Sequence, residues 1–482
     1  MLRGLIAAIL GSAVAVSTAH AADLMDVYQL ARDNDPTLQK AAATREAVEQ
    51  NKPLALSALL PQLSAGANYQ KSQSEGTTTQ FNAITGAYVT TPSTDFDSTR
   101  SGYSIDLQQS IFDWTNWLAL DKADIQVAQA EVNYGIAQQD LIVRVSQAYF
   151  NVLAAKDTLR AAQANQKALG QQLQQAKKKY EVGLSAITDV QEVQAAYDQA
   201  HAQVIAERQA LINAEDALIA ITGVPVGDLQ EPAVELPLKK PEPANAQAWI
   251  DQAIRGNLSL IASRMDTKIA ARNVDIQQAV RYPTLGLSLS HGRNLSSRTF
   301  GPQPPQSSQD TGNTLSLQFS VPIWSGGAIS ARSRQAKYNR VAAEAQTHIV
   351  ARQVKRQTRD AFLGVLTGIA RVKALREAVI SAETALRANE AGLKVGTRTT
   401  VDVLTARNNL LEARTNYAQA RYQYLLDGLL LQQAAGTLGS PDVVAINQYL
   451  TGEPLAPGET VQPTAPNNAM NPASSPREPS GE

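Results

Sequence analysis

VGLSAITDV occupies residues 182–190 and VGTRTTVDV residues 395–403. The two stretches lie about 213 residues apart and share one frame, Val-Gly followed after a short spacer by Asp-Val. A turn written twice at such a distance is the mark of an internal duplication. The rest of the chain keeps the same offset to within about ten residues. LARDNDPTL (30–38) aligns with QAIRGNLSL (252–260), LLPQLSAGA (59–67) with RYPTLGLSL (281–289), and DLQQSIFDW (106–114) with QFSVPIWSG (318–326). Gly223 of the first half falls on Gly436 of the second.

Each half reads as helix, strand, loop, strand, long helix, tip and helix. Four segments alternate apolar and polar residues with period two, the pattern of a sheet with one apolar face. They are expected at about 62–71, 101–111, 284–292 and 313–322, carrying Leu63, Ala65, Ala67 and Tyr69, then Tyr103, Ile105 and Leu107, then Leu285, Leu287 and Leu289, then Leu315, Leu317, Phe319 and Val321. Runs of roughly ten residues are long enough to cross a bilayer when tilted. The segments between paired strands, 72–100 and 293–312, are rich in Ser, Thr, Gly, Pro and Gln and read as exposed loops. Four strands cannot close a barrel alone, and an open edge in lipid leaves backbone groups unpaired. The chain is therefore expected to pool its strands with copies of itself; eight strands or twelve both satisfy this argument.

Residues 118–181 and 331–393 each read as one long helix of about 90 Å. Helices of about half that length are expected over 25–59, 188–223, 247–281 and 401–436. Val193, Tyr197, Ala200, Val204, Leu211 and Leu218 recur at coiled-coil spacing, and Ala406, Leu410, Ala413, Tyr417, Tyr424 and Leu431 repeat that register in the second half. The short helices are expected to stack end to end beside the long ones. Pro-containing breaks at 224–246 and 437–451 then lie midway along the body. The first repeat spans 22–223 and the second 247–436.

Of the 482 residues, 44% are hydrophobic and only 5% aromatic, as suits long helices packed through small side chains. A formal net charge of −1 gives no support to nucleic-acid binding. Arg3, an apolar run over 5–16 and the Ala19-x-Ala21 arrangement read as a secretory signal peptide over 1–21. The absence of cysteine excludes disulfides, thiol chemistry and a lipidated N-terminal cysteine. His20, His201, His291 and His348 stand apart without metal-ligand spacing, and no nucleophile or phosphate-binding motif is present. No catalytic residue, metal or cofactor is expected. The tail over 452–482 is rich in Pro, Ser and Asn and reads as disordered.

The chain resembles the TolC family of outer-membrane efflux proteins. The resemblance is carried by LMDVYQLARDNDPTL (24–38), LLPQL (59–63), VPIWSGG (321–327), VGLSAITDV and EAGLKVGTRTTVDVL (390–404), and extends over nearly all of 22–450. It implies an α+β membrane protein: a homotrimer whose four strands per chain make a twelve-stranded β-barrel, continued by an α-helical coiled-coil barrel across the periplasm. It implies a passive exit duct for small toxic compounds or secreted polypeptides in the outer membrane of a Gram-negative cell. Its partners would be outer-membrane lipid, a periplasmic adaptor (membrane fusion) protein and, through it, an inner-membrane pump of RND, ABC or MFS type. By the same resemblance, Val182, Gly183, Leu184, Val395, Gly396 and Thr397 would be adaptor-docking tips. Thr188, Asp189, Arg398 and Asp402 would form a periplasmic gate. Two positions depart from the family pattern: Leu393 replaces a hydroxylated aromatic, and Thr405 replaces a second aspartate. A trimeric ring of Asp402 carboxylates would favour proton uptake through like-charge repulsion. The alternative reading is a trimeric structural or adhesive protein without transport.

Overall fold

Alternation of small and apolar residues at helical spacing carries most of this chain into helices, and the helices come in matched pairs. The computed structural model describes residues 21–233, 236–300 and 304–450. The expected signal peptide and C-terminal tail lie outside these, apart from Ala21. The first half runs α1 (Leu24–Asn34), α2 (Pro36–Glu49), α3 (Asn51–Ser57), β1 (Gln62–Asn82), β2 (Ala87–Phe112), α4 (Trp114–Glu181) and α5 (Ile187–Thr222). The second runs α6 (Ala246–Gly256), α7 (Leu258–Ala279), β3 (Thr284–Phe300), β4 (Gln306–Ser320), α8 (Ala328–Val395) and α9 (Thr400–Ala435), followed by α10 (Ser440–Asn447). The long helices α4 and α8 are both 68 residues, about 100 Å. Their partners α5 and α9 are both 36 residues.

The helix expected over 25–59 is broken at Asp35, and the one over 247–281 at Asn257. Each residue adopts the same extended backbone, φ near −65° and ψ near 120°, ending one helix and capping the next. At Asp35 the cause is visible in the sequence, because a residue before proline is driven out of the helical region. At Asn257 the side chain does the work: Oδ1 accepts from Leu260 N at 3.1 Å while Nδ2 donates to Ala434 O at 3.0 Å, at the end of α9. The half-length helices meet end to end at these breaks. Gly223 closes α5 against Asn34, and Gly436 closes α9 against the backbone of Gly256, in both cases with positive φ.

The four strands form one antiparallel sheet in the order β1-β2-β3-β4. Its register separates two faces cleanly. Leu63, Leu107, Leu289 and Leu315 lie in one cross-strand row, with Leu287 opposite Leu317 and Leu285 opposite Phe319 below it. The opposite face carries Gln62, Gln108, Ser288 and Ser316, then Ser64, Asp106, Ser290 and Thr314. There Asp106 accepts from Ser104 at 2.9 Å and from Ser290 at 2.7 Å. Within one chain, β1 and β4 are edge strands with nothing paired to their outer sides. The loops expected at 72–100 and 293–312 are largely strand: β1 and β2 stay paired from Gln62–Gln108 up to Asn82–Ala87. Ser- and Thr-rich sequence was misleading here, since threonine suits a pleated ladder and pairing satisfies the backbone whatever the side chains.

The core lies at mid-body. Leu141, Val145, Tyr149 and Leu153 of α4 pack with Leu24 and Val27 of α1, Leu425 and Leu429 of α9, and Val443 and Ile446 of α10. Phe150 stacks on Tyr422 with centroids 5.9 Å apart. The linker after α5 wraps this core: Ala22 N donates to Asp228 O at 2.7 Å, and Ala233 N to Tyr449 O at 2.8 Å. No helix among the described residues is long and apolar enough to cross a membrane.

Candidate functional site

The two Val-Gly stretches end the long helices at the pole opposite the sheet. In the first, Gly183 takes φ +74° and lets Leu184 N reach back to Lys179 O at 2.8 Å. In the second, Gly396 takes φ +80° and Thr397 N reaches Gly392 O at 2.9 Å. Both bonds fold the chain back on the last helical turn, and an L side chain at either glycine would be strained. A Cβ at Gly183 or Gly396 would meet nothing within 4 Å, so space does not demand glycine there; backbone conformation does.

Apolar side chains crown both tips. Val182, Leu184 and Val395 are 69%, 78% and 75% exposed. Beneath them each hairpin packs on itself. Leu173, Val190 and Val193 form one cluster between α4 and α5; Leu386, Val403, Ala406 and Leu410 form another between α8 and α9. Leu393, one of the two departures from the family pattern, packs against this second cluster, so its side chain serves the hairpin interior. Thr405, the other, is exposed.

The polar tip residues are held locally. Asp189 accepts from Ser185 Oγ at 2.6 Å. Thr399 caps α9: its N–H and hydroxyl both donate to Asp402 Oδ2 at 2.9 Å, and Asp402 N donates back to Thr399 Oγ1 at 3.2 Å. Those two bonds from Thr399, with a smaller contribution from the Arg398 charge, hold the Asp402 carboxyl below its usual range. Within the chain this runs opposite to the proton uptake expected of a like-charge ring. Arg398 is exposed and its stem lies over Gly392. Among the described residues no hydrogen bond or ion pair joins Arg398 to Thr188 or Asp189. The structure thus gathers Thr188 and Asp189 on one tip and Arg398 and Asp402 on the other, without connecting the tips inside one chain.

Higher up, an open groove of about 400 Å³ separates the hairpins, walled by Asn165, Gln203 and Glu207 on one side and Asn408, Glu412 and Asn416 on the other. Interhelical ion pairs Arg407–Glu390 and Arg414–Glu383, both 2.7 Å, brace α9 to α8. At the equator a buried polar cluster closes the body. Arg160 grips Glu231 with both terminal nitrogens, Arg421 donates to Ala233 O at 2.6 Å, and Tyr422 donates to Asp157 at 2.6 Å. Burial pushes the Asp157 carboxyl up, and the Tyr422 hydrogen bond only partly offsets this. Sequence reasoning missed the cluster, because its members are separated by as many as 265 residues and Glu231 stands in a segment legible only as linker.

The family model described as "Outer membrane efflux protein" matches residues 27–224 and 249–437, one match in each half. Outer membrane protein TolC of Escherichia coli (strain K12) is 37% identical over 93% of this chain and 89% of its own. The alkaline protease secretion protein AprF of Pseudomonas aeruginosa is 30% identical over 90% of this chain and 89% of its own. Among solved structures, the outer membrane protein VceC of Vibrio cholerae superposes with a TM-score of 0.67 at 20% identity, over 86% of this chain and 96% of that one.

Proposed function

The chain belongs to the outer membrane efflux protein family, and on that premise we propose that it is a gated duct, closed by its own tips and opened by a docked partner. The chain is an outer-membrane channel for efflux and type I secretion. The observation that carries this is the sheet: one face apolar, the other polar, both edges open, and every strand base continued by a helix. Three copies supply twelve strands, close every edge and put the polar face around a bore. The helices then carry that bore about 100 Å into the periplasm.

At the far end the exposed Val182, Leu184 and Val395 offer apolar anchors to an adaptor protein, and the bare backbone at Gly183 and Gly396 allows its close approach. The gate is made between copies: Arg398, exposed at the second tip, reaches the Thr188 and Asp189 tip of a neighbour. A contact so exposed contributes about 1 kcal/mol or less, so a docked partner can undo three of them. Energy for transport comes from a pump reached through the adaptor.

Single-channel recording on the purified trimer in planar bilayers tests this reading. Wild type should show small, mostly closed conductance, and Arg398→Ser a larger one. A trimer that never conducts, with or without Arg398→Ser or Asp402→Ala, sinks both the duct and the gate.

A further inference from the structure

The apolar face of the sheet does not stay apolar to its outer end. On β3 the outward series Leu285, Leu287, Leu289 is followed by His291 and Arg293; on β4 Leu317 and Leu315 are followed by Asn313 and Thr311. Tyr103, Arg293 and Thr311 occupy one cross-strand row. Arg293 stands nine residues from Thr284 at the base of β3, and Lys71 nine from Gln62 at the base of β1. Tyr103 and Thr311 are likewise nine from Phe112 and Ser320. Nine residues rise about 30 Å along a strand, or about 23 Å along the membrane normal at the usual tilt, close to the height of the apolar band of an outer-membrane barrel. Tyr103, Arg293 and Thr311 therefore reach the outer boundary, facing lipid, whereas Lys71 pairs with Thr99 four rows further on, with β2 between it and Arg293.

The row carries one cation, Arg293, and no anion. Of the outward residues between the strand bases and this level, none is acidic. Asp310, the carboxylate nearest in register, pairs with Asn294 and so takes the bore side, as does Asp106 with Ser104 and Ser290. Arg293 donates from one terminal nitrogen to Gln309 Oε1 at 2.7 Å, while its Nε is buried without a partner. His291 Nδ1 lies 2.6 Å from Asn313 Oδ1, and its ring leans on Tyr103 with centroids 6.1 Å apart. A guanidinium positioned by Gln309, next to an imidazole and a tyrosine, suits a tetrahedral oxyanion. An arginine is costly at the bilayer midplane and nearly free at its boundary, so its partner belongs to the headgroup layer.

We propose that Arg293, with His291 and Tyr103 beside it, is a binding site for the phosphate of an outer-leaflet glycolipid, present once per chain on the lipid-facing wall. Arg293 makes the primary contact, and His291 and Tyr103 flank it on β3 and β2. The site rests on the outer-membrane placement and is independent of the gate.

The test uses the full-length trimer in detergent, titrated with bisphosphorylated lipid A, with its dephosphorylated analogue of identical acyl chains, and with inorganic phosphate. The readouts are lipid retention in native mass spectrometry and the temperature of trimer dissociation. The phosphorylated lipid should bind about tenfold more tightly than the analogue, as one charge-assisted pair predicts, and inorganic phosphate should compete only weakly. Arg293→Gln should abolish the discrimination, and Arg293→Lys should restore part of it. Equal binding of the two lipids overturns the proposal, as does discrimination that survives in Arg293→Gln. Equal competition by inorganic phosphate would overturn a lipid site in favour of a free-anion site. Should Arg293→Gln fail to assemble, the wild-type comparison of the two lipids still decides. Conductance of the same wild-type preparation separates the readings: a conducting trimer that cannot tell the lipids apart sinks this site and leaves the duct.

Discussion

The hydroxyl of Tyr422 donates to a carboxylate oxygen of Asp157 at 2.6 Å, tying α9 to α4 across 265 residues of chain. The pair sits where linker, α4 and α9 meet, with Arg160, Glu231 and Arg421 around it. Tyr422→Phe keeps the ring stacked on Phe150 but removes the donor of Asp157 Oδ2, leaving only Arg160 on Oδ1 at 3.2 Å. The expected cost is about 1–3 kcal/mol per chain, read as a lower temperature of trimer dissociation, with conductance of the assembled channel unchanged.

Asp157 also sets a pH dependence. Burial raises its folded pKa above the ordinary 3.8, so the folded chain holds this proton more firmly than the unfolded one. Stability therefore falls as pH rises from about 3.8 through the raised value, and the full penalty applies above it. Asp157→Asn removes this contribution. The dissociation temperature of wild type relative to Asp157→Asn should rise as pH is lowered from 7.5 toward the ordinary carboxylate value of 3.8; a flat difference over that whole range would contradict the assignment. Asp35 does not interfere. Burial pushes its carboxyl up, but the Arg144 ion pair at 2.8 Å and the Leu38 N–H outweigh this and hold it low. Its contribution is thus lost only below the ordinary carboxylate range.

Asp402 has the opposite sign. Its pKa is depressed by the cap with Thr399, so the stability it adds is present above the ordinary carboxylate value and lost only as pH falls through the depressed one. Closed-state conductance should not change between pH 5 and 7.5 on account of Asp402. A titration there that disappears in Asp402→Asn would mean that repulsion among three copies overrides the cap. Thr399→Ala, which breaks the same cap, should destabilise the start of α9 by about 1 kcal/mol and raise protease cleavage at the second tip.

The glycines separate two kinds of constraint. Gly396→Ala meets open space and only the left-handed backbone cost, about 1–2 kcal/mol. Gly436→Ala pays that cost and also drives a methyl into the Gly256 carbonyl. Trimer yield should fall modestly in the first variant and severely in the second.

The sheet register makes a prediction by neighbouring residues. Leu315→Lys puts charge on the lipid face, and Ser316→Lys puts it on the bore face. The first should cost up to about 2–4 kcal/mol of barrel stability toward the midplane, measured by urea titration in lipid vesicles. The second should leave stability intact and shift ion selectivity toward anions.

Much of this was readable along the chain. Alternation at Leu285, Leu287 and Leu289 is a local signal with period two, and the heptad spacing from Val193 to Leu218 is local with period near 3.5, so both survive without knowledge of partners. The V-G tips were legible because reversal of a helix needs positive φ, and glycine supplies it. The breaks at Asp35 and Asn257 were not taken from the sequence, although Asp35 stands before Pro36; the second depends on a carbonyl of α9 that no local window contains. Strand length was also misjudged, since pairing between Thr79 and Thr90 or Thr78 and Thr91 is decided by the opposite strand.

The sequence by itself determined the duplication, the two-faced sheet, the two long helices with their half-length partners α5 and α9, and the need for copies. These follow from periodicity and from the backbone's obligation to be paired. Only the tertiary structure decided which charges are buried together, that Asp402 is capped rather than free, and that Arg293 shares a cross-strand row with Tyr103 and Thr311. Such facts depend on contacts closed over tens to hundreds of residues, and a chain's local pattern carries no record of what folding will bring beside it.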